Sequence, residues 1–290
     1  MTPISSFASG GAVEGVYAVR HKERRLSRQG RPFLSLTLAD ATGSVAAVVF
    51  DEADYFAAQF EEGDRVRVTG RVTERDGRPR VVVSHLRPAA DEAEAADLLP
   101  RSHRDPDELF GFVLHLADEV ADPDLRRMLE ILTGDADLAA AWRTMPCSRS
   151  GHHAYMGGLV EHTVGVGSLV QTLCTWHPRI DSDLLLAAAL AHDIGHARAF
   201  RLGATFELTE EGRLLGHLAI GHEIVGDAAR RAGLSNTRRA ELLHAIDWHH
   251  GPPPGQAPGA ASPEALALWR ANQLETAVKA RLEGPGTADH

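Results

Sequence analysis

The sequence predicts a multidomain chain: an all-β barrel over residues 1–88, a linker over 89–105 and an all-α domain over 106–290. Three observations carry that prediction. Up to Pro88, apolar and polar residues alternate in short runs separated by turn residues, the period-two signature of half-buried strands. From Pro88 the composition turns to Ala, Asp and Glu (PAADEAEAADLLPRSHRDPDE), a linker composition. Beyond it, apolar residues recur at helical spacing between proline, serine and threonine start signals. With 290 residues and a hydrophobic share of 43%, two cores can be filled.

The β half reads in order. Val13 to Val19 is a strand followed by a polar connection, and Phe33 to Leu38 (FLSLTL) alternates as a half-buried strand should. Asp40 to Gly43 is a turn, and Ser44 to Phe50 returns as the second arm of a hairpin. DEADYFAAQFEEGD reads as a short helix ended by Gly63; Phe50, Tyr55, Phe56 and Phe60 are expected mostly to pack the barrel and this helix. Arg65 to Arg71 and Arg80 to Leu86 are two further strands, joined by a turn over residues 75–78. Three strands, a helix and two strands is the order of an OB-fold barrel.

After the linker everything is expected to be helical: Pro106 to Val120, Pro123 to Leu132, Asp135 to Met145, Gly158 to Trp176, Ser182 to His196, Thr209 to Ala232, Asn236 to His249 and Pro263 to Leu282. Pro106, Pro123 and Pro263 suit first-turn positions, and Ser182, Thr209, Ser235 and Ser262 suit caps. Residues 251–262 (GPPPGQAPGAAS) are too rich in proline for a helix and read as a loop beside a histidine cluster.

Charge and composition narrow the class. No run of eighteen apolar residues exists and the N-terminus lacks a basic start followed by an apolar stretch, so a cytoplasmic protein without a membrane partner is expected. Cys147 and Cys174 form no metal-ligand spacing and read as reduced thiols. The net charge of -10 disfavours a polyanion partner, yet residues 1–88 hold 13 Lys+Arg against 11 Asp+Glu. These bases gather in two stretches, Arg20, Lys22, Arg24, Arg25, Arg28 and Arg31, then Arg65, Arg67, Arg71, Arg75, Arg78 and Arg80. OB-folds bind single strands through such a basic groove with aromatic platforms. The nucleic-acid candidates are Arg20 to Arg31 on the first long loop, Phe33 beside it, and Arg65, Arg67, Arg78 and Arg80 on later strands.

The chemistry rests on histidines. His162, His192, Asp193, His217, His249 and His250 mix imidazole with carboxylate, a donor set suited to zinc, manganese, iron, cobalt or nickel. His192 and Asp193 end the apolar run LLLAAALA, and His249 and His250 likewise end a helix at Gly251. His217 and His222 are five apart and share no helix face, so one ligand is expected there, His217; His244 reads as structural.

The strings HHAYMGGLVEHT, AHDIGH, EEGRLLGHLAIGHE and DWHHG, in this order behind an OB-like barrel, resemble the HD phosphohydrolase superfamily and within it the YhaM-type 3′–5′ exoribonucleases. The resemblance covers nearly the whole chain. It implies one or two divalent ions per chain, manganese first, with cobalt, nickel, iron, zinc or magnesium as alternatives. It places His162, His192, Asp193, His217, His249 and His250 at ligand positions. The family's last ligand, an aspartate, falls on Asn272 here, with Glu275 one turn later. His196 stands where the family often has lysine, with Arg198 and Arg201 near enough to contact phosphate instead.

The function that follows is metal-dependent 3′–5′ hydrolysis of single-stranded RNA, with single-stranded DNA as a further substrate and a homo-oligomer as the expected assembly. Asp193 would bridge two ions, and His196 or His153 would protonate the leaving oxygen. Two other readings stand beside it. One is an HD hydrolase of nucleotides or cyclic dinucleotides; the other is a single-strand-binding protein whose HD site is impaired by Asn272.

Overall fold

The structure is a computed structural model that describes residues 2–89, 95–149, 151–252, 255, 257, 259 and 261–283. The chain divides into two compact units, Met1–Pro100 with Leu202–Glu207, and Arg101–Arg201 with Leu208–His290.

The first unit is a closed barrel of β1 (Ala12–Leu26), β2 (Pro32–Asp40), β3 (Gly43–Val49), β4 (Arg65–Arg75) and β5 (Arg78–Pro88), in the order β1-β2-β3-β5-β4. Closure has two local causes. A bulge between Val19 and His21 bends β1, so that its first half pairs with β4 and its second with β2. A parallel pairing of Ala46–Val48 with Arg80–Val82 seals β3 to β5. Tyr17, Leu34, Leu36, Leu38, Val66, Val68 and Val81 fill the interior. The buried Asp40 carboxylate accepts from the backbone N–H groups of Ile4 (2.8 Å) and Thr42 (2.7 Å), pinning the N-terminal segment to the β2–β3 turn.

Four expectations need correction here. β1 does not stop at Val19 but runs to Leu26, because its second half (RHKERRL) lies on the solvent side of a two-stranded arm and carries no apolar alternation. Arg20, Lys22, Arg24 and Arg25 are therefore strand residues, and only Arg28 and Arg31 belong to the connecting loop. The helix α1 is short, Ala53–Ala57. Of the four aromatics expected to pack, Phe56 and Phe60 do, whereas Phe50 and Tyr55 are exposed. Finally, within the expected linker, residues 90–94 lie outside the described residues, while Ala95–Leu98 form a 3-10 turn and Leu98 is buried beside Val16, Ala18 and Ala89.

The second unit is helical: α2 (Pro106–Asp118), α3 (Pro123–Gly134), α4 (Ala136–Thr144), α5 (Gly158–Trp176), α6 (Ser182–Ala191), α7 (His196–Ala199), α8 (Glu210–Ala232), α9 (Asn236–Asp247) and α10 (Pro263–Glu283). Two short strands, β6 (Phe200–Leu202) and β7 (Phe206–Leu208), were not expected in an all-helical region. Each is three residues long with a single polar residue between two apolar ones, too short a run for its period to register. The wholly buried α6, Leu184 to Ala191, is the centre of this core and packs against α5, α9 and α10. Its cap is Asp181 rather than Ser182, the carboxylate accepting from the Leu184 N–H at 3.0 Å. Arg238 on α9 binds Asp181 at 2.5 Å and Asp122, the cap of α3, at 3.3 Å, so one guanidinium joins three helix starts. The proline-rich loop at 251–262 is described only at 251, 252, 255, 257, 259, 261 and 262.

Candidate metal centre

Adjacent side chains on a continuous helix point about 100° apart, yet His192 and Asp193 face one point. The reason is that α6 ends at Ala191, earlier than the apolar run implied, and the chain turns through Ile194 N–H to Ala191 O and His196 N–H to Asp193 O. His192 Nε2 thereby lies 3.5 Å from Asp193 Oδ2. Gly195 then lets α8 pass: a Cβ on it would sit 2.0 Å from the His217 carbonyl oxygen. At Gly216 (φ 73°) α8 breaks its helical geometry, a left-handed conformation that glycine adopts without strain, and this sets the direction of His217.

The six expected ligands meet around Asp193. His162 Nε2 is 3.5 Å from Oδ2, while His249 Nε2 (3.2 Å) and His217 Nε2 (3.6 Å) approach Oδ1. His250 Nε2 lies 3.0 Å from His217 Nε2. Two donor sets result, His162, His192 and Asp193, and Asp193, His217, His249 and His250, with the ligand atoms of each set within 4.8 Å of one another. Asp193 belongs to both.

These residues fit a divalent ion. His192 and His249 each donate Nδ1–H to the carbonyl three residues back, Ala189 at 2.8 Å and Ile246 at 2.6 Å, and His162 Nδ1 is 2.6 Å from a Glu275 carboxylate oxygen. Each outer nitrogen holds the proton, so each Nε2 carries a lone pair into the cluster. His162 and His192 thus aim two lone pairs at each other across 3.1 Å. That spacing is repulsive by itself and is what two ligands about 2.1 Å from one ion adopt near a right angle. Asp193 Oδ1 and His249 Nε2, both buried, also have no hydrogen-bond partner.

The remaining sequence candidates fall differently. Asn272 is buried and braces the cluster: its Nδ2 donates to the His249 carbonyl at 3.0 Å and its Oδ1 accepts from Thr276 at 3.4 Å. His153 has both ring nitrogens engaged, Nδ1 with Tyr155 Oη (2.8 Å) and Nε2 with Glu275 (2.7 Å), so neither is left to protonate a leaving group. His196 stacks on His217, ring centroids 4.1 Å apart, and burial pushes its pKa down to about 3, a neutral ring at pH 7. His222 pairs instead with Asp247 at 3.3 Å, and His244 accepts from the Ser262 N–H at 3.2 Å.

A cavity of about 440 Å³ opens on the cluster, lined by Asp193, His196, His217, His249 and His250 together with Ser148, Arg149 and Gln273. Arg198 and Arg201 do not line it; Arg198 is engaged by Glu211 at 2.5 Å, and Arg201 lies on β6. Among the described residues, Arg149 is an arginine that lines the cavity, and sequence reasoning passed it over because it lies outside every histidine string. Cys147 was likewise missed. Its thiol donates to Asp193 Oδ2 at 3.3 Å, a contact 46 residues apart in sequence, and burial with the neighbouring carboxylate pushes its pKa well up.

On the barrel, Phe33 and Phe50 form a ring pair 5.9 Å apart at the β2 and β3 edges, and Phe33 stands opposite Arg25 in the β1–β2 ladder. Arg25 pairs with Glu23 (2.6 Å) and Arg24 with Asp54 (2.5 Å). Lys22 caps the end of α1, donating to the Ala57 carbonyl at 3.1 Å and the Phe60 carbonyl at 2.5 Å. Arg20, Arg28 and Arg31 are exposed, Arg65 and Arg67 lie on β4, and Arg78 and Arg80 on β5.

Comparison with known families agrees with this architecture. The OB-fold nucleic acid binding domain family matches residues 16–89 and the HD domain family residues 159–280, so the chain joins an OB-fold domain to an HD domain. It is similar to proteins named 3'-5' exoribonuclease YhaM: 27% identical over 243 residues to that of Halalkalibacterium halodurans, covering 83% of this chain and 75% of the relative. The YhaM proteins of Shouchella clausii and Bacillus subtilis are 28% and 25% identical over 244 residues, covering 83% of this chain and 76% and 77% of theirs. In domain order, and along most of its length, the chain is similar to these YhaM proteins.

Proposed function

We propose that the protein is a metal-dependent 3′–5′ exonuclease that shortens single-stranded RNA and also accepts single-stranded DNA. The observation that carries this reading is Asp193, which two donor sets share and which lines the cavity. A pair of divalent ions held there, manganese by preference, would activate water and offset the charge that builds on a phosphate. His162 and His192 would hold one ion and His217, His249 and His250 the other, with Asp193 available to both. Arg149 lines the cavity and takes a non-bridging phosphate oxygen. His196, neutral and stacked on His217, holds that ligand's ring in plane.

The 3′ direction and the RNA substrate are taken from the relatives' name. The barrel supports a polymer substrate, with Arg25, Phe33 and Phe50 as grip for backbone and bases. Self-association and a cytoplasmic location belong to the same reading; no described helix is long and apolar enough to cross a membrane. To separate this from a nucleotide or cyclic-dinucleotide hydrolase, the protein with Mn2+ is offered RNA, DNA and a cyclic dinucleotide in parallel and the products are resolved. Mononucleotides released from RNA support the reading. Turnover of the cyclic dinucleotide alone sinks it.

A further inference from the structure

Asn272 leaves the cluster with one carboxylate fewer than the resemblance implies, and the structure brings another to its edge. Glu275, one turn further along α10, places Oε2 at 2.6 Å from His162 Nδ1 and Oε1 at 2.7 Å from His153 Nε2. Both rings are buried, and the carboxylate itself is only 13% exposed. The clamp is built from several sides. His153 is held through Nδ1 by Tyr155, and its backbone N–H donates to Glu283 at 2.9 Å. Position 165 on α5 is glycine, where a Cβ would come within 3.0 Å of the Glu275 side chain.

We infer that Glu275 is a positioning residue that sets the ion affinity of the His162, His192 and Asp193 position, delivering through the His162 ring the negative charge that Asn272 does not provide. The inference rests on reading the cluster as a metal centre. A carboxylate that accepts the outer N–H of a ligand histidine fixes its tautomer and raises its basicity, and loss of such a partner costs about 10- to 100-fold in metal affinity. One carboxylate serves both rings because each of its oxygens takes one of them. Asn272 is left to brace His249.

The test is a calorimetric titration of metal-stripped protein with Mn2+ alone. Glu275→Gln keeps the size of the side chain and a hydrogen-bonding oxygen but removes the charge. It should keep the metal-free Tm and bind Mn2+ about 10- to 100-fold more weakly. Adding Asn272→Asp to that variant should recover part of the loss, an outcome that a merely structural role for Glu275 would not produce. Equal affinity in the wild type and Glu275→Gln, or no recovery in the double variant, overturns the inference while leaving the metal centre intact. A wild type that binds no Mn2+ removes both. Should Glu275→Gln fail to fold, His153→Gln carries the test: it leaves the Glu275–His162 contact in place and should bind Mn2+ as the wild type does. A tenfold loss there would assign the positioning to His153 instead.

Discussion

His192 and Asp193 converge on one point because α6 stops before them, and substitution of either should be felt by ion and substrate together. His192→Ala or Asp193→Ala should lower RNA cleavage by more than the about 100-fold that the loss of an outer partner costs, and elemental analysis of the purified variants should find less metal than in the wild type. Arg149→Ala should act differently. It removes a charged hydrogen bond to phosphate worth about 1.5–3 kcal/mol, so kcat/KM should fall roughly tenfold or more while metal content stays at the wild-type level. That His162, His192, Asp193, His217, His249 and His250 form one set was legible in the sequence because each lies in a short polar string that ends or interrupts an apolar helix. Cys147, Arg149 and the grip of Glu275 on two histidines were not. They come from segments far apart in sequence, and nothing in their local patterns marks them as neighbours of Asp193.

At the scale of the element, helix positions were readable from periodicity and caps, whereas the ends that matter for chemistry were not. The α6 terminus fell five residues before the expected His196, and β1 ran seven residues beyond Val19, because solvent-side strand residues leave no apolar trace. Arg238 ties the starts of α3, α6 and α9 and should repay a stability measurement. Arg238→Ala should cost about 1–2 kcal/mol, a modest figure because Arg238 and its two aspartates stay partly exposed. Its hydrogen bonds hold the Asp181 carboxyl below its ordinary 3.8. That stabilisation is full above the ordinary carboxylate value and is lost as pH falls through the lower folded one, so the Tm gap between wild type and Arg238→Ala should narrow toward the acid end of a pH series. On the barrel, Phe33→Ala or Phe50→Ala should weaken RNA binding by about 1–3 kcal/mol in a titration of a catalytically silent variant, if bases stack there as the ring pair suggests. Unchanged affinity would move the binding face elsewhere on the barrel.

For the whole molecule, fold class and domain order were legible because strands and helices differ in period and the change falls at a single shift of composition near Pro88. The two short strands and the buried Leu98 were not, since neither run is long enough to show a period. Division of labour follows from the two units: the barrel provides strand-binding chemistry and the helical unit the donor cluster. Asp193→Ala should therefore stop cleavage and leave RNA binding intact. The most direct measurement is a time course with 5′-end-labelled single-stranded RNA, Mn2+ and the full chain, resolved nucleotide by nucleotide, with a chelator arm. The account predicts a ladder that shortens progressively from the 3′ end and stops when the metal is chelated. RNA that stays full length with every divalent ion, or that is cut first at internal positions, would contradict it.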